Sequence, residues 1–216
     1  MVRIYSIEGN IGAGKTTLLS YIDNMIQNQT QNQNQIILMR EPVDIWTSIV
    51  DANGVNLLQN FYKDTKKYAF PFQIFAFSTR LTMLKNTLKN HPECEIIICE
   101  RSLYADGNIF ARMLYDDRMM DETQYQIYIK MYDDAIHDYP LSGVIYLTIP
   151  PSVCAKRIVK RNRTGEENIE MKTLEKLHIY HEKWLNEPEL GFYVLQMDKV
   201  MVDDFIANGN VYDLII

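Results

Sequence analysis

The sequence contains no apolar run that approaches the ~18 residues of a membrane span, so no membrane partner is expected. It also lacks a basic surplus. Lys and Arg number 22 against 28 Asp and Glu, a formal charge of -6, and no broad cationic surface exists for a nucleic-acid polymer. Anionic small molecules must instead be met by a few local lysines and arginines. Cysteine is scarce: Cys94, Cys99 and Cys154 form no C-x-x-C pair and no zinc spacing. Cys94 and Cys99 are separated by an odd number, so on a single strand they would face opposite sides. Reduced thiols and a cytoplasmic setting are expected, and no signal or transit pattern precedes the first strand-like run. Internal repeats and linker-like stretches are missing too. With 216 residues, 47% of them hydrophobic, residues 1–216 read as one domain with a sizeable core.

Five runs read as short strands: residues 3–7, 36–39, 95–99, 144–147 and 193–196. β-Branched residues recur in them, and segments of helical periodicity separate them. That alternation predicts an α/β fold, a five-stranded parallel sheet with helices on both faces. The working edge of such a sheet is the carboxyl ends of its strands. Pro71 can open a helix at its first turn, Asp121 and Gln124 resemble a capping pair, and Pro150-Pro151 allows a helix near Ser152. A Gln/Asn run over residues 27–35 reads as a solvated connection.

After the first run comes Gly9-Asn10-Ile11-Gly12-Ala13-Gly14-Lys15-Thr16, which fits G-x-x-x-x-G-K-[ST]. Leu18, Leu19, Ile22, Met25 and Ile26 follow at helical spacing. A glycine-rich turn between strand and helix aims backbone N–H groups at an anion, with the helix dipole behind them. Lys15 reaches the outer phosphates and the Thr16 hydroxyl helps hold Mg²⁺. Gly9 to Thr16, extended by Thr17, is the expected ATP-binding set.

Other residues admit two readings each. Pro42 keeps Glu41 extended at the sheet's edge, where a carboxylate can accept the proton of an attacking hydroxyl. Position alone leaves an ordinary loop glutamate open as well. Gln73, Ala76, Phe77, Arg80 and Leu84 share one helical face. Its amide can pair with a base edge and its aromatic can stack on the ring. The alternative helix buries Phe72, Phe75 and Leu84 and turns Gln73 and Arg80 to water. Glu100-Arg101-Ser102 ends the third run, where phosphate-loop enzymes place a metal-associated carboxylate, and Asp106 is a candidate partner for Arg80. Arg157, Arg161 and Arg163 form a dense cluster before Glu166-Glu167, either a cationic lid over a transferring phosphoryl group or a solvated turn. His178 and His181 either share a metal or are two helix-surface imidazoles; no third ligand lies near them.

Together these pieces resemble the deoxynucleoside kinase family, the branch of deoxycytidine, deoxyguanosine and mitochondrial-type thymidine kinases. The resemblance runs through Ile7-Glu8-Gly9-Asn10-Ile11-Gly12, Glu41-Pro42-Val43 with Trp46, and Asn56-Leu57-Leu58-Gln59 with Tyr62. It continues through Pro71-Phe72-Gln73, Glu100-Arg101-Ser102, Arg161-Asn162-Arg163, and Leu174-Glu175-Lys176-Leu177-His178 with Trp184. It implies a P-loop kinase with an arginine-bearing lid, a homodimer that moves the γ-phosphate of ATP to a deoxynucleoside 5′-hydroxyl in nucleotide salvage.

By this resemblance Glu41 is the base, with Arg101 near the same oxygen. Gln73 reads the nucleobase in a pocket of Trp46, Leu58, Phe72, Ala76 and Phe110. Tyr62 and Glu166 hold the sugar 3′-hydroxyl, Arg161 and Arg163 cover the transferring group, and Thr16 with Glu100 serves Mg²⁺. Gly165 stands where the family often has an acid, which leaves Glu166 and Glu167 both open for the sugar. Arg80 and Asp106 resemble the Arg–Asp pair of deoxycytidine and deoxyguanosine kinases, which would crowd a thymine methyl. Deoxycytidine or purine deoxynucleosides are thus expected over thymidine. Thymidylate-type monophosphate kinases are the alternative, sharing the loop and an Arg-Glu-Pro like Arg40-Glu41-Pro42. They continue with Gly-Gly-Thr, where this sequence has Val43-Asp44-Ile45. A non-catalytic nucleotide switch would carry a guanine-reading motif such as Asn-Lys-x-Asp, which is absent.

Overall fold

Five strands make one sheet: β1 (Arg3–Gly9), β2 (Ile36–Met39), β3 (Ile96–Glu100), β4 (Gly143–Leu147) and β5 (Tyr193–Met197). The computed structural model describes residues 2–28, 35–166 and 169–215. The strand order is β2-β3-β1-β4-β5, with every neighbouring pair parallel. β1, β3 and β4 are buried on both faces; β3 and β4 accordingly read as apolar runs, while β1 carries Ser6 and Glu8 in its buried span. β1 extends past the predicted run to take in Glu8 and Gly9.

The helices are α1 (Lys15–Asn28), α2 (Val43–Ser48), α3 (Leu57–Lys63), α4 (Thr65–Asn90), α5 (Leu103–Ala105), α6 (Arg112–Asp116), α7 (Glu122–Ile136), α8 (Pro151–Arg161), α9 (Met171–Leu185) and α10 (Lys199–Asn208). They cover both faces of the sheet, because successive side chains of β1 point to opposite sides. On one side Ile4 packs with Phe77, Leu84, Tyr128, Leu177 and Trp184 of α4, α7 and α9. On the other, Tyr5 and Ile7 pack with Leu18, Ile22, Cys154, Ile158 and Phe205 of α1, α8 and α10. No helix among the described residues is long and apolar enough to cross a membrane.

The chain leaves β1 toward one edge of the sheet and leaves the adjacent β3 toward the other. A crevice therefore opens between the carboxyl ends of β1 and β3, where α/β sheets bind ligands. Residues 9–16 and Glu100-Arg101 stand on its two rims.

Several local readings need comment. Asp121 and Gln124 form the expected capping box, and α8 opens at Pro151. Pro71 does not open a helix: it lies inside α4, which starts at Thr65 with the Asp64 carboxylate accepting from Lys67 N. A capped start with a buried face beyond it outweighs the lost proline N–H. Cys94 precedes β3, so it shares no strand with Cys99; all three thiols are free and buried. Of the Gln/Asn run, residues 29–34 lie outside the described residues, and Gln27 and Asn28 end α1.

Candidate active site

Gly9, Gly12 and Gly14 hold φ values of +144°, +78° and +106°, a region that side chains disfavour. A Cβ on Gly12 would meet Cys154 O at 2.7 Å, so α8 presses directly on the loop. Lys15 Nζ donates to the carbonyls of Gly9 and Asn10 at 3.2 and 2.9 Å, curling the loop around its own ammonium. Burial and the nearby Arg101 push Lys15 down to about 8. Thr16 Oγ1 donates to Glu100 Oε1 at 2.5 Å, which joins the two rims of the crevice.

This loop floors a cavity of about 810 Å³. Phe77, expected as the ring-stacking aromatic, does not line it but is buried in the core, edge-on to Tyr128 at 5.7 Å. Of the phosphate-loop residues and those given a role by the resemblance, all that are described line it except Gly9 and Asn10. Those two shape the loop from behind. A Cβ on Gly9 would meet Leu147 O at 2.9 Å, and Asn10 Nδ2 donates to Leu174 O at 2.7 Å.

Glu41 stands across the cavity from the loop. Its Oε1 lies 3.3 Å from Arg101 Nε and 3.4 Å from Arg80 Nη2. Burial pushes the carboxyl up, but Arg101, Arg80 and Lys15 outweigh it and hold it below its ordinary value. Arg80 also grips both Asp106 oxygens, at 2.8 and 3.2 Å. Burial works against the Arg80 charge, while Asp106 and Glu41 restore it and leave the guanidinium firmly protonated. For Asp106 burial wins over Arg80 and lifts the carboxyl above its ordinary value. The water-facing part of the alternative reading of α4 fails: Gln73 and Arg80 are buried in the cavity wall, although Phe72 and Leu84 are buried as that reading has them.

Gln73 Nε2 donates to Asp106 O at 3.3 Å. Beside it Trp46, Leu58, Phe72 and Ala76 form a small apolar cluster, with Trp46 edge-on to Phe72 at 5.4 Å. Trp46 Nε1 is held by Thr79 Oγ1 at 2.9 Å. The opposite wall is a π-helical turn, Asp106–Ala111, which carries Asp106 and Phe110. Phe110 stacks under Arg101, 4.5 Å from ring centre to guanidinium carbon.

At the lid, Asn162 ends α8 in the left-handed region, and Gly165 follows at φ +95°. Arg161 Nη2 and Arg163 Nη1 both reach the buried Glu166, at 2.5 and 3.2 Å. The lid arginines are thus gathered over the cavity by Glu166. Glu167 lies outside the described residues. Arg157 separates from the cluster, donating through Nη1 to Ala13 O at 2.7 Å, and so buttresses the loop.

No cluster of three metal-ligating His, Cys, Asp or Glu exists among the described residues, at His178 and His181 or elsewhere. His181 is not at the helix surface either but fully buried, its ring parallel to Tyr146. The signal was present: Leu174, Leu177, His181, Trp184 and Leu185 form the one buried stripe of α9. Glu8, a charge inside a buried strand, was likewise passed over as a residue with a task of its own.

The family model described as deoxynucleoside kinase matches residues 5–215. A probable deoxycytidine kinase of Fowlpox virus (strain NVSL) is 35% identical over 221 residues, covering 97% of this chain and 87% of that protein. The Homo sapiens deoxycytidine kinase is 33% identical over 204 residues, covering 85% and 75%. A mitochondrial deoxyguanosine kinase of Xenopus laevis is 31% identical over 236 residues, covering 98% and 86%.

Proposed function

The chain belongs to the deoxynucleoside kinase family, and from that premise we propose which deoxynucleoside it takes and which residues act on it. It is an ATP-dependent phosphotransferase of nucleotide salvage. Its acceptor is deoxycytidine or a purine deoxynucleoside rather than thymidine. The observation that carries this reading is the doubly bonded Arg80–Asp106 pair beside Gln73, which we read, by the family resemblance, as filling the place a thymine methyl would need.

Glu41, held as a carboxylate by two guanidinium groups, takes the 5′-hydroxyl proton as that oxygen attacks the γ-phosphorus and ADP leaves. Arg101 flanks the same oxygen. Backbone N–H groups of residues 11–16 and Lys15 hold the donor phosphates. Arg161 and Arg163 offset the charge on the transferring group, and Tyr62 and Glu166 hold the sugar. A hydroxyl and a carboxylate 2.5 Å apart at the loop suit a hard oxygen-seeking cation such as Mg²⁺, so Thr16 and Glu100 would hold it. When bound, that ion neutralises donor phosphate charge.

A monophosphate acceptor suits the site less well, because Arg80 and Arg101 on the acceptor side already face carboxylates. We read residues 1–216 as one catalytic domain, a cytoplasmic homodimer that binds neither nucleic acid nor membrane. The test is a panel of deoxynucleosides and monophosphates with ATP and Mg²⁺, products identified by mass. Glu41→Gln should then lower kcat by ~10²–10⁴ with a smaller change in nucleoside binding. A kcat within about threefold of wild type, far inside that range, removes Glu41 as the base.

A further inference from the structure

Behind the cavity wall, buried polar atoms without a hydrogen-bond partner among the described residues include Ser6 Oγ, Glu8 Oε2, Arg101 Nη1 and His181 Nε2. Buried polar atoms are nearly always paired, so orphans that converge require a reason. Ser6 and Glu8, two apart on β1, share one face of the sheet. The register sets Tyr146 of β4 beside Glu8, and the His181 ring of α9 lies parallel to Tyr146 at 5.7 Å. Glu8 Oε2 stands 3.8 Å from Arg101 Nη1, and the Arg101 charge acts on His181. The four groups therefore gather on one side of the sheet, beneath α9.

Their chemistry is complementary. His181 Nδ1 lies 2.6 Å from Leu177 O. A carbonyl only accepts, so Nδ1 carries the proton and Nε2 is a bare acceptor. Burial keeps this imidazole neutral, well below its ordinary value. Glu8 Oε1 already accepts from Ser102 N and Oγ at 2.8 and 2.7 Å, which leaves Oε2 as a second acceptor. Arg101 Nη1 carries two N–H groups and no hydrogen bond, and it meets Glu8 Oε2 as an ion pair at 3.8 Å. Arg101 itself holds φ +64°, a strained value for a side chain of its size, and Glu8 grips the residue that follows it.

We propose that Glu8 and His181 are positioning residues for phosphoryl transfer, a rear pair of acceptors that fixes the Arg101 guanidinium so that its Nε faces Glu41 and the reacting oxygen. Neither lines the cavity, so both act through Arg101. The proposal rests on the reading of Glu41 and Arg101 as the groups that activate the acceptor. A donor held in place needs no reorganisation when charge develops. Loosening Arg101 therefore weakens the transition state and leaves the bound nucleoside nearly as it was.

The experiment compares Glu8→Gln, His181→Phe, His181→Gln, Arg101→Ala and the double variant Glu8→Gln with Arg101→Ala. Gln at position 8 keeps an acceptor for Ser102 but turns an amide N–H toward Arg101. Phe at position 181 keeps the ring on Tyr146 and removes the acceptor, while Gln restores a carbonyl near the place of Nε2. Glu8→Gln and His181→Phe should each lower kcat by about 10- to 100-fold, the scale of a small misplacement of a reacting group. Deoxynucleoside Kd, which also reports folding, should stay within about threefold, and His181→Gln should recover most of the loss. In the Arg101→Ala background, Glu8→Gln should cost nothing further, because the two residues act as a unit.

Wild-type kcat in Glu8→Gln, or full additivity with Arg101→Ala, overturns the proposal. Should Glu8→Gln fail to fold, the contrast between Phe and Gln at position 181 decides: equal losses overturn it, and recovery by Gln supports it. If Arg101→Ala keeps wild-type kcat, the acceptor-activating reading falls and takes the positioning role with it. If Arg101→Ala loses activity while Glu8→Gln does not, only the positioning role falls.

Discussion

Arg80 donates to both carboxylate oxygens of Asp106, through Nε at 2.8 Å and Nη2 at 3.2 Å, in a wall where both side chains are almost fully buried. Each charge has given up its hydration, and the planar two-point contact replaces part of it. Breaking such a pair from one side leaves a buried charge alone and costs about 3–5 kcal/mol. Nη2 also lies 3.4 Å from Glu41, so one guanidinium joins the carboxylates of Asp106 and Glu41.

Substrate choice follows from that join. Arg80→Met alone strands Asp106 and should lower both melting temperature and activity. Arg80→Met with Asp106→Ala removes the two charges together and enlarges the pocket. Thymidine should then gain on deoxycytidine and the purine deoxynucleosides by roughly 10–200-fold in relative kcat/KM, the worth of a pocket change of this size. Measuring kcat/KM for four deoxynucleosides in both proteins checks it. Unchanged ratios would place the pair outside the base site.

The same double variant carries a pH prediction. In the native protein Arg101, Arg80 and Lys15 overcome burial and hold Glu41 below its ordinary 4.5. A base works as the carboxylate, so activity due to Glu41 persists as pH falls until that lowered value is crossed. Removing Arg80 takes away a lowering charge 3.4 Å from Glu41, a larger effect than the repulsion relieved by removing Asp106. The acid limb of kcat/KM should therefore move upward in pH. Initial rates taken before acid unfolding report it, and a limb that stays put or moves down would contradict the assignment.

Much of this architecture is legible in the sequence for definite reasons. β3 and β4 are buried on both faces, so they read as apolar runs, whereas β1, equally buried, keeps the polar Ser6 and Glu8. The loop is legible because positive φ at Gly9, Gly12 and Gly14 admits little but glycine. Gln73, Ala76 and Arg80 could be grouped because helical spacing alone places them on one face. What escaped depends on other parts of the chain. Pro71 reads locally as a start, yet the Asp64 cap begins α4 earlier. The spacing of Arg157 and Arg161 places them on one face, whereas Ala13 O draws the former to the loop and Glu166 the latter to the lid. The π-helical turn at Asp106–Ala111 leaves no compositional mark.

The lid arginines should matter in the transition state more than in the ground state, where they are bound to Glu166. Arg→Lys at position 161 or 163 keeps the charge but loses the planar fork. We expect kcat to fall, by ~10²-fold or more in the Arg161→Ala, Arg163→Ala double variant, with nucleoside affinity little changed. Wild-type turnover in that variant would show that the two guanidinium groups are only surface charge.

Gly165 sets how the lid seats. At φ +95°, its position for a Cβ lies 3.1 Å from Gln59 Cγ and 3.2 Å from the Gln59 backbone, so a side chain there requires Gln59 of α3 to give by a few tenths of an ångström. Gly165→Ala meets both the left-handed penalty and this contact, about 1–3 kcal/mol in total. Only the seated lid carries that cost, because a lid lifted from α3 frees the backbone. The melting temperature should thus hardly move, since the lid is a local unit. Turnover should fall roughly 5- to 150-fold, the same free energy taken from the transition state. KM for the nucleoside should rise with it, because Glu166 is displaced along with Arg161 and Arg163. Equal kinetics for Gly165→Ala and the native protein would mean that the lid does not rest on α3 during turnover.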